Sequence, residues 1–240
     1  LLRKIDFFLN NKSWYDSKGI PYTLGIGLHG SPGTGKTSFI KALANKTKRD
    51  IIIVPLKIIN TKRDLNTLFY ESRYNINNEK GSKTFDKKII VFEDIDCIGD
   101  IVEERKTKEE LAKRIVDKSE DNKILSVKDM VPDPLTLDDF LNLWDGVRET
   151  PGRIIIITSN HYNKLDKALT RPGRIDICYE FKNTSHKVIY DMYNSFFGKK
   201  LDKNILSKIP EYKYSPAEIS NIFMRSNNDP NTFLNYIFLQ

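Results

Sequence analysis

Apolar residues follow two rhythms along the chain, and the rhythm changes near residue 182. Up to that point, short unbroken apolar runs alternate with stretches in which apolar residues recur every three or four positions. The runs cover residues 24–29, 51–54, 88–92, 153–158 and 175–181 and predict strands. Ile89-Ile90-Val91-Phe92 and Ile154-Ile155-Ile156-Ile157 have no polar alternation, which predicts strands buried on both faces, as in a parallel sheet. Between the runs, helical spacing is set by Leu2, Ile5 and Leu9, and by Phe39, Ile40 and Leu43. It recurs with Leu65, Leu68 and Phe69 over 64–73, and with Leu137, Phe140, Leu141 and Trp144 up to Gly146. From Ser185 onward helices alone are predicted, over 185–197, 202–208, 215–226 and 230–239. The fold class is therefore α/β, with a parallel-sheet core over 1–183 and a small all-helical domain over 184–240.

Some stretches break the alternation. Residues 10–23 are polar and rich in turn formers, with Gly19 and Pro21, and predict an irregular connection. Trp14 and Tyr15 within it read as a small satellite core in preference to an adenine-stacking pair. Residues 75–87 predict a polar loop. Residues 99–134 mix Lys, Glu and Asp densely with few large apolar side chains, which predicts a surface insertion carrying a charged helix over 103–119.

Composition adds bounds. Hydrophobic residues make up 39% and charged residues 30%, as expected of a soluble globular chain. No run of about 18 apolar residues occurs, so no membrane-spanning helix or targeting segment is expected in this stretch. The first residue is Leu, and the expectation is a piece of a longer chain. Cys97 and Cys178 have no metal-ligand spacing, which makes a reducing compartment the default. The net charge of +7 permits a nucleic-acid or anionic-lipid partner, but no nucleic-acid module is visible and basic charge alone describes a solvated surface.

The candidate chemistry centres on Gly30-Ser31-Pro32-Gly33-Thr34-Gly35-Lys36-Thr37-Ser38, which follows a predicted strand and opens a predicted helix. That context is the one a phosphate-binding loop requires. The three glycines let backbone N–H groups turn inward around an anion, and the helix start adds its positive end. Lys36 can reach the β/γ-phosphates and is expected to face the surface, while the Thr37 hydroxyl can ligate Mg²⁺. Nucleotide hydrolysis also needs a metal-side carboxylate and a group that orients water. Glu93 and Asp94, at the end of a buried strand, can supply both. Asn160 ends the 153–158 run and could hold the attacking water or the γ-phosphate; asparagine capping a turn is the alternative.

From Asn160 to Asp176 the sequence resembles the second region of homology of AAA ATPases, T-N-x-x-x-x-L-D-x-A-L-x-R-P-G-R-x-D, with Ser159 where Thr is common. Within that superfamily it is most similar to the group of the mitochondrial Rieske-protein translocase, the respiratory complex assembly chaperone. The residues behind this are Trp14-Tyr15, Gly19-Ile20-Pro21-Tyr22, Glu93-Asp94-Ile95-Asp96, Leu135-Thr136-Leu137, Leu143-Trp144-Asp145-Gly146-Val147 and Ser215-Pro216-Ala217-Glu218. The Glu-Asp order distinguishes the group, because most AAA proteins carry Asp-Glu there.

The resemblance implies a P-loop NTPase core with a helical lid, binding ATP/ADP and Mg²⁺. It makes Lys36 and Thr37 the phosphate and metal contacts, Glu93 the metal-side carboxylate and Asp94 the water-polarising one. Asp is a methylene shorter than Glu, so the swapped order leaves the division of labour between the two open. The resemblance further makes Asn160 the γ-phosphate sensor, Arg171 and Arg174 arginine fingers for a neighbouring subunit's nucleotide, and Pro216-Ala217 the lid's approach to the adenine. It implies a homo-oligomeric ring, hexamer or heptamer, acting on a macromolecule, protein ahead of nucleic acid. Membrane attachment would come only through an upstream segment. The stretch that matches the pore loop, Lys57-Ile58-Ile59-Asn60-Thr61-Lys62, has no aromatic, which argues against threading by stacked aromatics. Two other readings stay open at this point: a nucleic-acid-remodelling or packaging ATPase, and a nucleotide-binding scaffold without turnover.

Overall fold

The computed structural model describes residues 1–59, 61–73, 82–98, 136–146 and 148–239. The expected insertion over 99–134, with its charged helix, lies outside the described residues, as does most of the 75–87 loop. The chain divides into two compact units. One comprises Leu1–His29 with Lys41–Tyr179, the other Gly30–Ile40 with Glu180–Gln240.

The first unit is built on a five-stranded sheet, β1 (Thr23–His29), β2 (Asp50–Ile53), β3 (Lys88–Phe92), β4 (Arg153–Ser159) and β5 (Ile177–Glu180), in the order β2-β3-β4-β1-β5. β2–β3, β3–β4 and β4–β1 pair in parallel. Every residue of β3 and β4 is buried, as the unbroken Ile/Val runs predict, whereas the edge strands β2 and β5 are partly exposed. Register ties Phe92 to Ile157 and His29 to Ser159, so β1, β3 and β4 all end on one edge. Gly25 and Gly27 in β1 mark close approaches. A Cβ on Gly25 would lie 1.6 Å from the Arg174 carbonyl oxygen, and one on Gly27 would lie 2.9 Å from the Tyr162 ring.

The helices of this unit are α1 (Leu2–Asn10), α2 (Lys12–Lys18), α3 (Lys36–Thr47) from Lys41 onward, α4 (Lys62–Tyr70), α5 (Leu137–Asp145) and α6 (Lys167–Thr170); the start of α3 belongs with the glycine loop to the second unit. α5 opens with a capping box between Thr136 and Asp139. It buries Leu137, Phe140, Leu141 and Trp144 at the predicted spacing, with Phe140 and Trp144 edge-on to Phe92. Residues 10–23 depart from expectation, because seven of them form α2 before Gly19 ends it in the left-handed region. The sequence is a poor helix former, and aromatic packing supplies the support. The Trp14 ring meets Phe7 at 5.4 Å, and the Tyr15 ring meets Phe8 at 5.8 Å and Tyr22 at 5.3 Å. On α1 the buried residues are Ile5 and Phe8, while Leu2 faces solvent.

The second unit carries α7 (His186–Phe197), α8 (Lys203–Leu206), α9 (Pro216–Arg225) and α10 (Pro230–Leu239). Its core gathers Ile189, Tyr193, Ile219, Ile222, Phe233 and Ile237. Tyr214 is buried there and donates its hydroxyl to the Ile237 carbonyl at 2.7 Å. Among the described residues, no helix is long and apolar enough to cross a membrane.

Candidate nucleotide-hydrolysis site

The glycine loop leaves β1 at Gly30 and runs into α3 at Lys36. Gly30, Gly33 and Gly35 have φ of +136°, +77° and +103°, conformations that L side chains rarely adopt. At Gly30 space also excludes a side chain, since a Cβ would lie 2.0 Å from the Phe181 carbonyl oxygen. Thr34 closes the loop by donating its hydroxyl to the Ser31 carbonyl at 2.8 Å. Lys36 is buried rather than surface-facing, which corrects the expectation from sequence. Its ammonium donates to the carbonyls of Gly30 at 2.7 Å and Ser31 at 3.1 Å. The cause is the loop itself, which wraps back over the first helical turn and offers its carbonyls there. Thr37 and Ser38 are exposed, as are Ser31, Pro32 and Gly33.

The same unit brings Ser215 and Ala217 onto this loop, with Pro216 between them in sequence. Ser215 caps α9, receiving the Glu218 N–H at 3.2 Å, and Pro216 fills a first-turn position where no N–H is needed. The Ser215 backbone N–H and hydroxyl hold the Glu218 carboxyl below the usual carboxylate range. The Ala217 N–H donates to the Gly33 carbonyl at 3.1 Å. A Cβ on Gly33 would sit 3.0 Å from that of Ala217, so the helix start is seated on a glycine.

In the first unit, Glu93, Asp94 and Asn160 all lie where strands end on the carboxyl edge of the sheet. Glu93 is half-buried and Asp94 exposed. Asp94 has φ +46°, and its N–H donates to Thr158 Oγ1 at 2.8 Å. Aspartate tolerates this region several-fold better than most residues, which gives the Glu-Asp order a backbone reason. Asn160 sits half-buried at the turn after β4, where Ser159 Oγ accepts the His161 N–H at 2.9 Å. Tyr162, just beyond, stacks on His29 with ring centroids 4.8 Å apart and so ties this turn to the end of β1. Burial, with Cys178 beside it, pushes the Tyr162 phenol well above its ordinary range.

Arg171 and Arg174 are held elsewhere. Their turn is pinned by Asp176, whose carboxylate accepts the N–H groups of Gly25 at 2.9 Å and Gly173 at 3.1 Å. Gly25 lies four residues before β1 ends, roughly 13 Å at about 3.3 Å per residue. Both guanidinium groups converge on Asp145 at the end of α5, Arg171 Nη2 and Arg174 Nε each at 2.8 Å. Arg174 also donates to the Ala168 carbonyl. The Arg174 side chain is 7% exposed and that of Arg171 57% exposed, so the two are not equivalent. Burial raises the Asp145 carboxyl, but Arg174 and Arg171 outweigh it and hold it below the usual range. Asp145 carried no functional assignment from sequence beyond its place in Leu143-Trp144-Asp145-Gly146-Val147, because its partners lie 26 and 29 residues away.

The model of the ATPase family associated with various cellular activities (AAA) matches residues 26–183. The chain belongs to the AAA ATPase family. A putative AAA family ATPase of Acanthamoeba polyphaga mimivirus is 41% identical over 81% of this chain and 97% of its own length. A probable mitochondrial chaperone BCS1-B of Dictyostelium discoideum is 33% identical over 95% of this chain, and the human mitochondrial chaperone BCS1 is 30% identical over 96%. The chain spans about half the length of these two chaperones, 49% in each case. The group expected from the Glu-Asp order is thus the group found, and this AAA protein is an ATPase. Its site residues suit a nucleotide. Three glycines turn the loop backbone through positive φ angles that L side chains rarely adopt, and a buried ammonium backs it. A hydroxyl at a helix start and strand-end carboxylates are oxygen ligands of the hard kind Mg²⁺ takes.

Proposed function

We propose that this AAA ATPase works as a homo-oligomeric ring, hexamer or heptamer, in which ATP hydrolysis at subunit interfaces remodels or moves a protein substrate. The observation that carries the reading is the placement of the two arginines. They are anchored roughly 13 Å back along β1 from its carboxyl end, and Arg171 is turned to solvent at 57% exposure. A guanidinium so held is available to a second copy of the chain. The relatives named as chaperones favour a protein substrate.

In this reading the loop N–H groups and Lys36 bind the phosphates. Thr37 and Glu93 would hold Mg²⁺, which when bound offsets charge on the phosphate oxygens. Asp94 orients the attacking water, and Asn160 contacts the water or the γ-phosphate. Arg171 reaches the neighbour's nucleotide, with Arg174 and Asp145 bracing it. An arginine supplied from a second subunit is worth roughly 10³–10⁵ in turnover. Ala217, seated on Gly33, and the adjoining Pro216 line the approach of the base.

The test mixes two inactive proteins. Arg171→Ala/Arg174→Ala keeps an intact loop, and Lys36→Ala keeps intact arginines. Mixed rings should recover part of the ATPase activity, and specific activity of the wild type should rise with protein concentration. Mixed oligomers that form yet stay inactive would sink the assignment. Nucleic-acid remodelling is the second reading, supported by the net charge of +7. Salt-dependent DNA binding that stimulates hydrolysis would decide for it.

A further inference from the structure

Asp94, two residues past the end of β3 at Phe92, turns into the left-handed region at φ +46°. Its N–H is met by Thr158 Oγ1 at 2.8 Å. Thr158 is 3% exposed and continues the all-isoleucine run of β4, two residues before Asn160. Phe92 pairs with Ile157, so Thr158 comes level with the residues that leave β3. Nothing in the sheet asks for a hydroxyl here. Ile154, Ile155, Ile156 and Ile157 fill the same strand, and valine has the shape of threonine without the oxygen.

We propose that Thr158 is a positioning residue for hydrolysis: its hydroxyl accepts the Asp94 N–H and holds that backbone left-handed, which aims the carboxylate at the attacking water. The inference rests on the reading of Asp94 as the water-orienting group. The bond is made to the main chain, so it fixes the residue while using no lone pair of the carboxylate. A left-handed aspartate without this acceptor relaxes toward ordinary backbone angles and carries its carboxylate with it. A shift of about 1 Å at a reacting group costs on the order of 10²-fold in rate.

Three variants test it, Thr158→Val, Thr158→Ser and Asp94→Asn, each measured for kcat, KM, affinity for a fluorescent ATP analogue with Mg²⁺, and Tm. Thr158→Val should lose roughly 10- to 100-fold in kcat while ATP affinity stays close to wild type and Tm falls by no more than about 5 °C. Thr158→Ser, which keeps the acceptor, should retain most of kcat. Wild-type kcat in Thr158→Val, with Asp94→Asn inactive, overturns the positioning role alone. Equal losses in the Val and Ser variants, or a kcat loss accompanied by weaker ATP binding and a larger fall in Tm, mark a packing residue and also overturn it. Near-normal turnover by Asp94→Asn removes the underlying reading of Asp94 instead.

Discussion

Lys36 ties down the backbone that it also equips. Its ammonium holds the carbonyls of Gly30 and Ser31 from a buried position. Lys36→Ala should therefore lose nucleotide binding and also melt lower without nucleotide, by about 1–2 kcal/mol or roughly 2–8 °C. An unchanged melting curve would show that the loop holds itself. The two arginines should separate in the same way. Arg171→Ala should bind ATP, keep its Tm within about 2 °C and turn over roughly 10³-fold more slowly. Arg174→Ala should lower Tm more, because its side chain is 7% exposed and its loss takes the partner from the Ala168 carbonyl and leaves Asp145 with Arg171 alone. Equal melting of the two variants would contradict that division. Asp145 adds a pH signature. Its carboxyl is held low in the folded chain, so its contribution is full above the unfolded value near 4 and fades as pH falls through the lower folded value. The Tm gap between wild type and Asp145→Asn should be flat above about pH 5 and shrink below about pH 4.

At the scale of elements, glycines set how closely segments approach. Gly30→Ala meets the Phe181 carbonyl at 2.0 Å and an unfavourable φ of +136° together. It should cost about 3 kcal/mol or more and abolish nucleotide binding, as read by thermal melting and analogue fluorescence. Wild-type stability would mean that the loop can leave Phe181. Such elements differ in how far sequence reveals them. β3 and β4 were legible because isoleucine runs without polar alternation leave few alternatives, and the loop because its glycines stand at a fixed spacing. The α2 helix was not, since Lys12-Ser13-Trp14-Tyr15-Asp16-Ser17-Lys18 forms it through ring contacts with Phe7, Phe8 and Tyr22 rather than through propensity. Asp145 reads as the polar end of an amphipathic helix, and Thr158 as a strand residue, until the chain folds their partners onto them. Lys36 misleads for the opposite reason. A lysine in a glycine turn looks solvated, and only the path of the loop buries it.

For the whole molecule, the dependence on a second copy is the property to measure first. Hydrolysis per subunit should rise with concentration and level off once rings form, and sedimentation at the same concentrations should show the change in size. A rate independent of concentration in a monomeric sample would set the ring aside. The glycine loop itself is supported from far along the chain: Phe181 covers Gly30, and Ala217 bonds Gly33. Ala217 follows Gly33 by 184 residues. At about 5–20 residues per second of synthesis, that separation lasts roughly 10–40 seconds on the ribosome. The loop is made well before its supports, so a nascent chain should remain unable to hold ATP until Phe181 and Ala217 are out. Ribosome-bound chains halted before residue 215 should accordingly fail to retain a nucleotide that the finished protein binds.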